Sequence, residues 1–298
     1  MKYQKLTDLI GNTPLISMNF EDIPNTNILV KMELYNITGS AKDRMAYYML
    51  NKAERTGKIK EGATIVEATT GNTGIAFSSL AAMRGYKMIA VMPEGQSEER
   101  VQMIKAFGAE VVLTPHAEGP AGAIKKRDEM AKEIENVFVP DQFSNPDNIE
   151  EHIHTTAEEL ISQTEGQIDY VLHGIGTGGT LMGIAKVFKS RYPHVKMIAL
   201  EPEESAVMSG GEPGHHNIQG IGEGFIPDLV DMSYIDEVVK VSTQDAIETT
   251  KMIAKTKGIL VGFSAGANIA AIRKLSKHDG KTFLTFFCDR GERYLSIK

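Results

Sequence analysis

Cysteine is nearly missing from this chain. Cys288 is the single one among 298 residues, so an intrachain disulfide and a cysteine-cluster metal site are both excluded. A lone thiol is compatible with a reducing compartment, and a buried, inert side chain is its default reading. An excess of positive charge is missing too. Lys plus Arg number 32 against 39 Asp plus Glu, a net charge of −7, which argues against nucleic acid or an acidic membrane as the main partner. No apolar run is long enough to span a bilayer. The segment Met1-Lys2-Tyr3-Gln4-Lys5-Leu6-Thr7-Asp8 has no signal-peptide core, and a cytoplasmic location is expected. The histidine pairs His152/His154 and His215/His216 lack the helical spacing of a metal pair, so no metal is expected. Repeats and low-complexity segments are absent.

What is present is an ordinary globular composition, 42% hydrophobic and 24% charged. The length suits one large domain or two of common size. Strand-like runs alternate with helical ones: Thr64–Ala68, a helix from Ile75 to Arg84, Met88–Met92, a helix to about Phe107, Glu110–Leu113, and a helix from about Gly122 to Ile134. Val137–Val139 is a further short strand candidate. The polar, turn-rich stretch Asp141 to Asn148 reads as a crossover between domains. The alternation then restarts, with a helix from Glu150 to Gln163, strand Tyr170–His173, a helix from Leu181 to Arg191 and strand Met197–Leu200. Residues 203–227 form a long glycine-rich stretch, of the kind that carries function. A helix from Gln244 to Lys255, strand Ile259–Val261, a helix from Ala265 to about Lys274 and a closing strand Phe283–Phe287 complete the chain. Such alternation indicates βαβ units around parallel sheets, an α/β protein.

Four loops carry candidate chemistry. Gly174-Ile175-Gly176-Thr177-Gly178-Gly179-Thr180 joins a strand to a helix. Its glycines let the backbone approach an anion, and the helix start supplies free N–H donors. A phosphate cradle and a plain glycine turn are both readings. Gly174-x-Gly176-x-x-Gly179 with Glu201 downstream also satisfies a dinucleotide fingerprint. Thr69-Thr70-Gly71-Asn72-Thr73-Gly74 opens a second helix and suits a carboxylate, or is an ordinary capping turn. Ser264, in Gly262-Phe263-Ser264-Ala265, stands at another helix start, where an N-cap is the simpler role. Lys42, in Gly39-Ser40-Ala41-Lys42-Asp43-Arg44, falls in the first turn of a helix marked by Met45, Met49, Leu50 and Ala53. The positive end of the helix dipole disfavours a second positive charge there, as a reactive amine requires. A solvated surface lysine is the plain alternative.

Taken in order, seven stretches resemble the cysteine synthase (O-acetylserine sulfhydrylase) and cystathionine β-synthase family of pyridoxal-phosphate enzymes of fold type II. They are Gly11–Leu15, Gly39–Arg44, Gly71–Gly74, Gln142–Pro146, Gly176–Thr180, Ile218–Gly222 and Gly291–Ser296. The resemblance covers nearly the whole chain and displaces the dinucleotide reading. It implies two parallel-sheet, three-layer domains with the cofactor, pyridoxal 5'-phosphate, between them, as in the tryptophan synthase β subunit. Residues 40–140 would form a smaller, mobile domain, and 1–39 plus 141–298 a larger domain that anchors the cofactor. Lys42 matches the Schiff-base lysine that also moves the α-proton. Asn72 matches the partner of the cofactor's ring hydroxyl. Gly176, Thr177, Gly178, Gly179 and Thr180 match the phosphate cup, and Ser264 the partner of the pyridine nitrogen. Thr69, Thr70, Gly71, Thr73 and Gln142 match the pocket for the substrate carboxylate.

The implied reaction is β-replacement on a serine- or cysteine-type amino acid through an aminoacrylate. Cysteine synthesis from O-acetylserine and sulfide is its default form. Departures from the family pattern bear on the substrate: Ile37-Thr38, Gly95-Gln96-Ser97, Cys288-Asp289-Arg290, and Glu223 where a small residue is common. A carboxylate repels hydrosulfide but suits an ammonium, or takes a proton from a thiol. A second reading is therefore a cysteine-consuming, sulfide-releasing reaction with an amino-acid thiol as acceptor, giving lanthionine or cystathionine. The resemblance also implies a homodimer, and a regulatory role through docking of a serine acetyltransferase tail is a third reading.

Overall fold

The computed structural model describes residues 3–275 and 280–297. Met1 and Lys2, part of the N-terminal stretch read above, lie outside them. The described residues form two parallel sheets, each with helices on both faces. The smaller sheet has the order β5 (Glu110–Thr114), β4 (Lys87–Pro93), β3 (Thr64–Ala68), β6 (Val137–Phe138). The larger has the order β1 (Leu15–Met18), β2 (Asn27–Lys31), β10 (Thr282–Phe286), β7 (Tyr170–Gly174), β8 (Lys196–Pro202), β9 (Glu237–Val241), with only β1 antiparallel. Every strand of the smaller sheet lies between residues 64 and 138.

Alternate side chains of a strand point to opposite faces, and the cores follow that rule. On β3, Ile65 packs with Met45, Met49, Phe77 and Leu80 of α1 (Lys42–Arg55) and α2 (Asn72–Arg84), on the side shared with α3 (Glu98–Ala106). Its neighbour Val66 packs on the other side with Ala123 of α4 (Gly119–Glu133). On the larger sheet Leu172 and Phe283 face α8 (Thr243–Lys257) and α9 (Phe263–Lys274). Val171 and Leu284 face α5 (Asp147–His154), α6 (Thr156–Thr164) and α7 (Gly179–Arg191). These are the parallel α/β sheets expected from the alternation, in the three-layer domains that the resemblance implies.

Three expectations need correction. The helix placed over Glu150 to Gln163 is two helices that meet at Thr155, whose backbone leaves the helical region (φ −123°, ψ −72°). Its hydroxyl is turned to the Glu151 carboxylate and the Arg44 guanidinium. Ile259–Val261 is not a strand: only Val261 forms a bridge, to Arg290. The strand expected at Phe283–Phe287 does not close the sheet but lies inside it as β10, between β2 and β7, which accounts for the burial of its residues on both faces.

Candidate active site

Three chain segments converge on a cavity of about 720 Å³, its open mouth included, within the usual range for a small-molecule site. The first is the start of α1. Lys42 is its first residue and faces the cavity. Arg44 and Asp43 fix this turn. Arg44 donates from Nε and Nη2 to both oxygens of Glu33, at 2.7 and 2.8 Å, and from Nη1 to Glu159 at 2.7 Å. Glu33 is fully buried, and the Arg44 guanidinium holds its carboxyl well below the usual range against the cost of burial. Asp43 accepts from the backbone N–H of Thr38 at 2.7 Å and from its hydroxyl; burial raises its carboxyl to about 6. Burial likewise pulls the Lys42 amine below its ordinary value, opposed by Cys288, Glu223 and Asp289. His173, behind it, is pushed down to about 3, first by burial and then by the Lys42 charge.

The second segment is the turn from β3 into α2. Thr70, Asn72 and Thr73 line the cavity. As the first residues of α2, Asn72 and Thr73 present N–H groups with no preceding turn to bond. Thr69 and Gly71 do not line the cavity; they build the turn instead. Thr69 Oγ1 accepts from the N–H of Gly71 at 2.9 Å and of Gly74 at 3.2 Å. Gly71 takes φ 145°, and a Cβ there would stand 2.4 Å from Arg100 Cδ. Gln142, from the crossover segment, reaches the same turn. Its Nε2 donates to the Ala68 carbonyl, and its Oε1 accepts from the Thr73 hydroxyl, both at 2.7 Å.

The third is the glycine loop between β7 and α7. Gly176, Thr177, Gly178 and Thr180 line the cavity, whereas Gly179 backs onto Asn148. A Cβ on Gly176 would lie 2.3 Å from the Gly220 carbonyl oxygen, and Gly178 takes φ 85°. The backbone is thus exposed to whatever fills this end, at the N-terminus of the 13-residue α7, the usual geometry for a phosphate. Glu201 is taken up elsewhere, accepting from the N–H groups of Met208 and Ser209 at 2.7 and 3.0 Å. It is buried and does not line the cavity, so the dinucleotide geometry is not formed.

Ser264 lines the opposite wall. It is the second residue of α9, and Gly262 rather than Ser264 is the N-cap, so capping does not account for it. Cys288 lines the cavity as well as packing against the core on the α5–α7 side of the larger sheet, its thiol pushed up to about 12 by burial. Glu223 lies where the inner cavity opens into an outer vestibule. Burial raises its carboxyl to about 7, against the pull of Lys42 and Arg100. Gln219, Gly220, Ile221 and His173 were not singled out as site residues, yet they line the cavity. The Ile218–Gly222 stretch was the signal for the first three. Among the described residues no His, Cys, Asp and Glu cluster could hold a metal, and no helix is long and apolar enough to cross a membrane.

Known proteins are similar to this chain in sequence and fold. A family model described as pyridoxal-phosphate dependent enzyme matches residues 6–289. The curated cysteine synthase of Staphylococcus aureus is 50% identical over 295 residues, covering 98% of this chain and 95% of that protein. A hydrogen sulfide-producing enzyme from Fusobacterium nucleatum superposes with TM-score 0.95 at 38% identity, covering 99% of this chain and 100% of the other. An O-acetylserine-dependent cystathionine β-synthase from Helicobacter pylori superposes with TM-score 0.94 at 40% identity, covering 100% and 99%.

Proposed function

Because the chain belongs to the pyridoxal-phosphate dependent enzyme family, within its cysteine synthase branch, we propose that it makes cysteine from O-acetylserine and sulfide. The enzyme is a pyridoxal-phosphate dependent catalyst of β-replacement acting on small amino acids. The observation that carries the reading is the placement of Lys42, a shielded amine on the same cavity as a glycine loop at a helix N-terminus. The cavity suits the cofactor: Gly176 and Gly178 line it at the N-terminus of α7, where backbone N–H groups are free for a phosphate, and Ser264 lines it with a hydroxyl that carries no charge.

Lys42, Asn72, the loop from Gly176 to Thr180, and Ser264 would hold pyridoxal phosphate. When bound, it supplies an electrophilic aldehyde and an electron sink that acidifies the substrate's α-hydrogen and favours loss of the β-substituent. The remaining work falls to the chain. Lys42 Nζ, whose burial favours the uncharged amine, would take the α-proton. Thr70, the remaining N–H of Gln142 and the N–H groups that open α2 would receive the substrate carboxylate, with the Thr73 hydroxyl holding Gln142 in place. Gly71 and Thr69 contribute by shaping that turn. A hydroxyl rather than a carboxylate at Ser264 does not hold a pyridine nitrogen protonated, which favours elimination over transamination. Closure of residues 40–140 over the site would exclude water.

Glu223 supports a second reading, in which cysteine is the donor, sulfide leaves, and an amino-acid thiol is the acceptor. No hydrogen bond to a protein donor is recorded for this carboxylate among the described residues, and it stands at the cavity entrance. An acceptor's ammonium would be its natural partner. The enzyme is proposed to be a cytoplasmic homodimer, in line with its lone free thiol. Docking of a serine acetyltransferase tail at the same mouth is a further proposal, tested by titrating such a peptide.

One experiment addresses the main reading. Holoenzyme is reduced with borohydride and digested, and a label on Lys42 is the expected result. The same preparation is then given O-acetylserine with sulfide, or cysteine alone, and the products are weighed by mass spectrometry. Cysteine formed in the first mixture supports synthesis, and lanthionine with sulfide in the second supports the alternative. No label on Lys42 would overturn both.

A further inference from the structure

We propose that Asp289 and Arg293 are positioning residues for Asn72, and that they determine which end of its carboxamide faces the cavity. This rests on the reading that Asn72 meets the cofactor's ring oxygen.

A carboxamide has an oxygen end and an NH₂ end of nearly equal shape, and its orientation is set by its partners. Asn72 lies between a cation and an anion. Its Oδ1 accepts from Arg293 Nη1 at 2.6 Å, and its Nδ2 donates to Asp289 Oδ2 at 2.6 Å. A guanidinium only donates. Asp289 Oδ2 already accepts the Tyr294 hydroxyl. A flipped amide would set NH₂ against the guanidinium and oxygen against the carboxylate, mismatching both sides at once. The one remaining N–H of Nδ2 is therefore what Asn72 offers to the cavity it lines. A donor at that point favours the anionic form of a ring oxygen.

The clamp is itself held. Arg293 is 2% exposed and Asp289 1%, and Arg293 Nη2 donates to the Thr38 carbonyl, four residues before Lys42. A Cβ on Gly262 would stand 2.0 Å from Asp289 Oδ1, so the backbone of the α9 cap abuts the carboxylate. Asn72 opens α2 beside the smaller sheet. Its two partners follow β10 of the larger sheet, so the orientation is imposed from the other half of the molecule.

The test uses holoenzyme and three readouts: the ratio of the long- to short-wavelength absorbance bands of the bound cofactor, the pH midpoint of that ratio, and cofactor affinity. Melting of the cofactor-free protein controls for folding. Asp289→Asn, nearly isosteric, lets residue 289 donate as well as accept and so releases the amide. Arg293→Met removes the other side. Each is expected to lower the band ratio at least threefold and to weaken cofactor binding about tenfold, the scale of one charged hydrogen bond. In the Asn72→Ala background neither substitution should change the ratio further, because the coupling runs through Asn72. Arg293→Lys should recover part of the loss. Tyr294→Phe, which removes the other donor to Asp289, should leave the bands in place. Equal shifts with and without Asn72, or no shift from Asp289→Asn and Arg293→Met when Asn72→Ala itself produces one, would overturn the clamp. If Asn72→Ala leaves bands and affinity unchanged, the ring-oxygen reading fails and the clamp falls with it. Should Asp289→Asn not fold, the Arg293 pair completes the same cycle.

Discussion

The Thr73 hydroxyl donates to Gln142 Oε1 at 2.7 Å, joining the first turn of α2 to the crossover segment 69 residues further along the chain. Gln142 Nε2 meanwhile bonds the Ala68 carbonyl at the end of β3. A single buried amide therefore braces both ends of the turn that carries Thr70, Asn72 and Thr73.

Replacing that brace should loosen the turn. Gln142→Ala removes two buried hydrogen bonds and leaves the Ala68 carbonyl without its partner, a cost of about 1–3 kcal/mol. The expected result is a KM for the amino-acid donor raised about tenfold or more, with cofactor affinity little changed. Steady-state kinetics beside a cofactor titration separate the two effects.

Gly176→Ala should act on the cofactor instead. The added methyl would meet the Gly220 carbonyl oxygen at 2.3 Å, and backbone on both sides cannot yield cheaply. The glycine loop must shift away from the anion it faces. Dialysis should strip pyridoxal phosphate from this variant under conditions that leave the parent loaded. Retention equal to the parent would count against the phosphate cradle.

Replacing Glu223 is expected to separate the two acceptors. Glu223→Ala removes the carboxylate at the mouth. If the acceptor is an amino-acid thiol, turnover with cysteine or homocysteine should fall at least tenfold while turnover with sulfide holds or rises. Unchanged thiol-acceptor turnover would remove that role for Glu223.

A pH prediction concerns Glu67, fully buried in β3 with its carboxyl raised to about 7 by burial against the attraction of Arg127. Between its unfolded value of 4.5 and about 7, the folded chain holds a proton that the unfolded chain has released. Stability therefore falls as pH rises through that window, and the penalty is complete above it. Glu67→Gln removes the ionisation. Its melting temperature relative to the parent should be more favourable at pH 8 than at pH 5. A difference that does not change with pH would show that Glu67 does not titrate in that range.

The elements that were legible in the sequence are those whose signal is local. The apolar positions Met45, Met49, Leu50 and Ala53 are all buried on α1, because helical spacing alone aligns them. The turn into α2 and the glycine loop stand where the strand-to-helix pattern placed them. Where local signals failed, a distant partner had intervened. Thr155 breaks one predicted helix, with its hydroxyl held between Glu151 and Arg44. Cys288 is the buried thiol that its apolar setting predicts, and its place just after β10 brings it to the cavity wall as well.

Composition and periodicity were thus enough to determine the α/β class, because backbone conformation depends on residues within a few positions of each other, whereas Lys42 was singled out by the family resemblance of seven stretches spread along the chain. The chain fold alone decided what surrounds that lysine. Glu33 grips the turn that holds it, Glu223 comes to stand at its mouth, and Asp289 and Arg293 reach Asn72 from 217 and 221 residues away. Contacts at such separations form only after two sheets have closed on each other, and no local pattern encodes which side chains will then face one another.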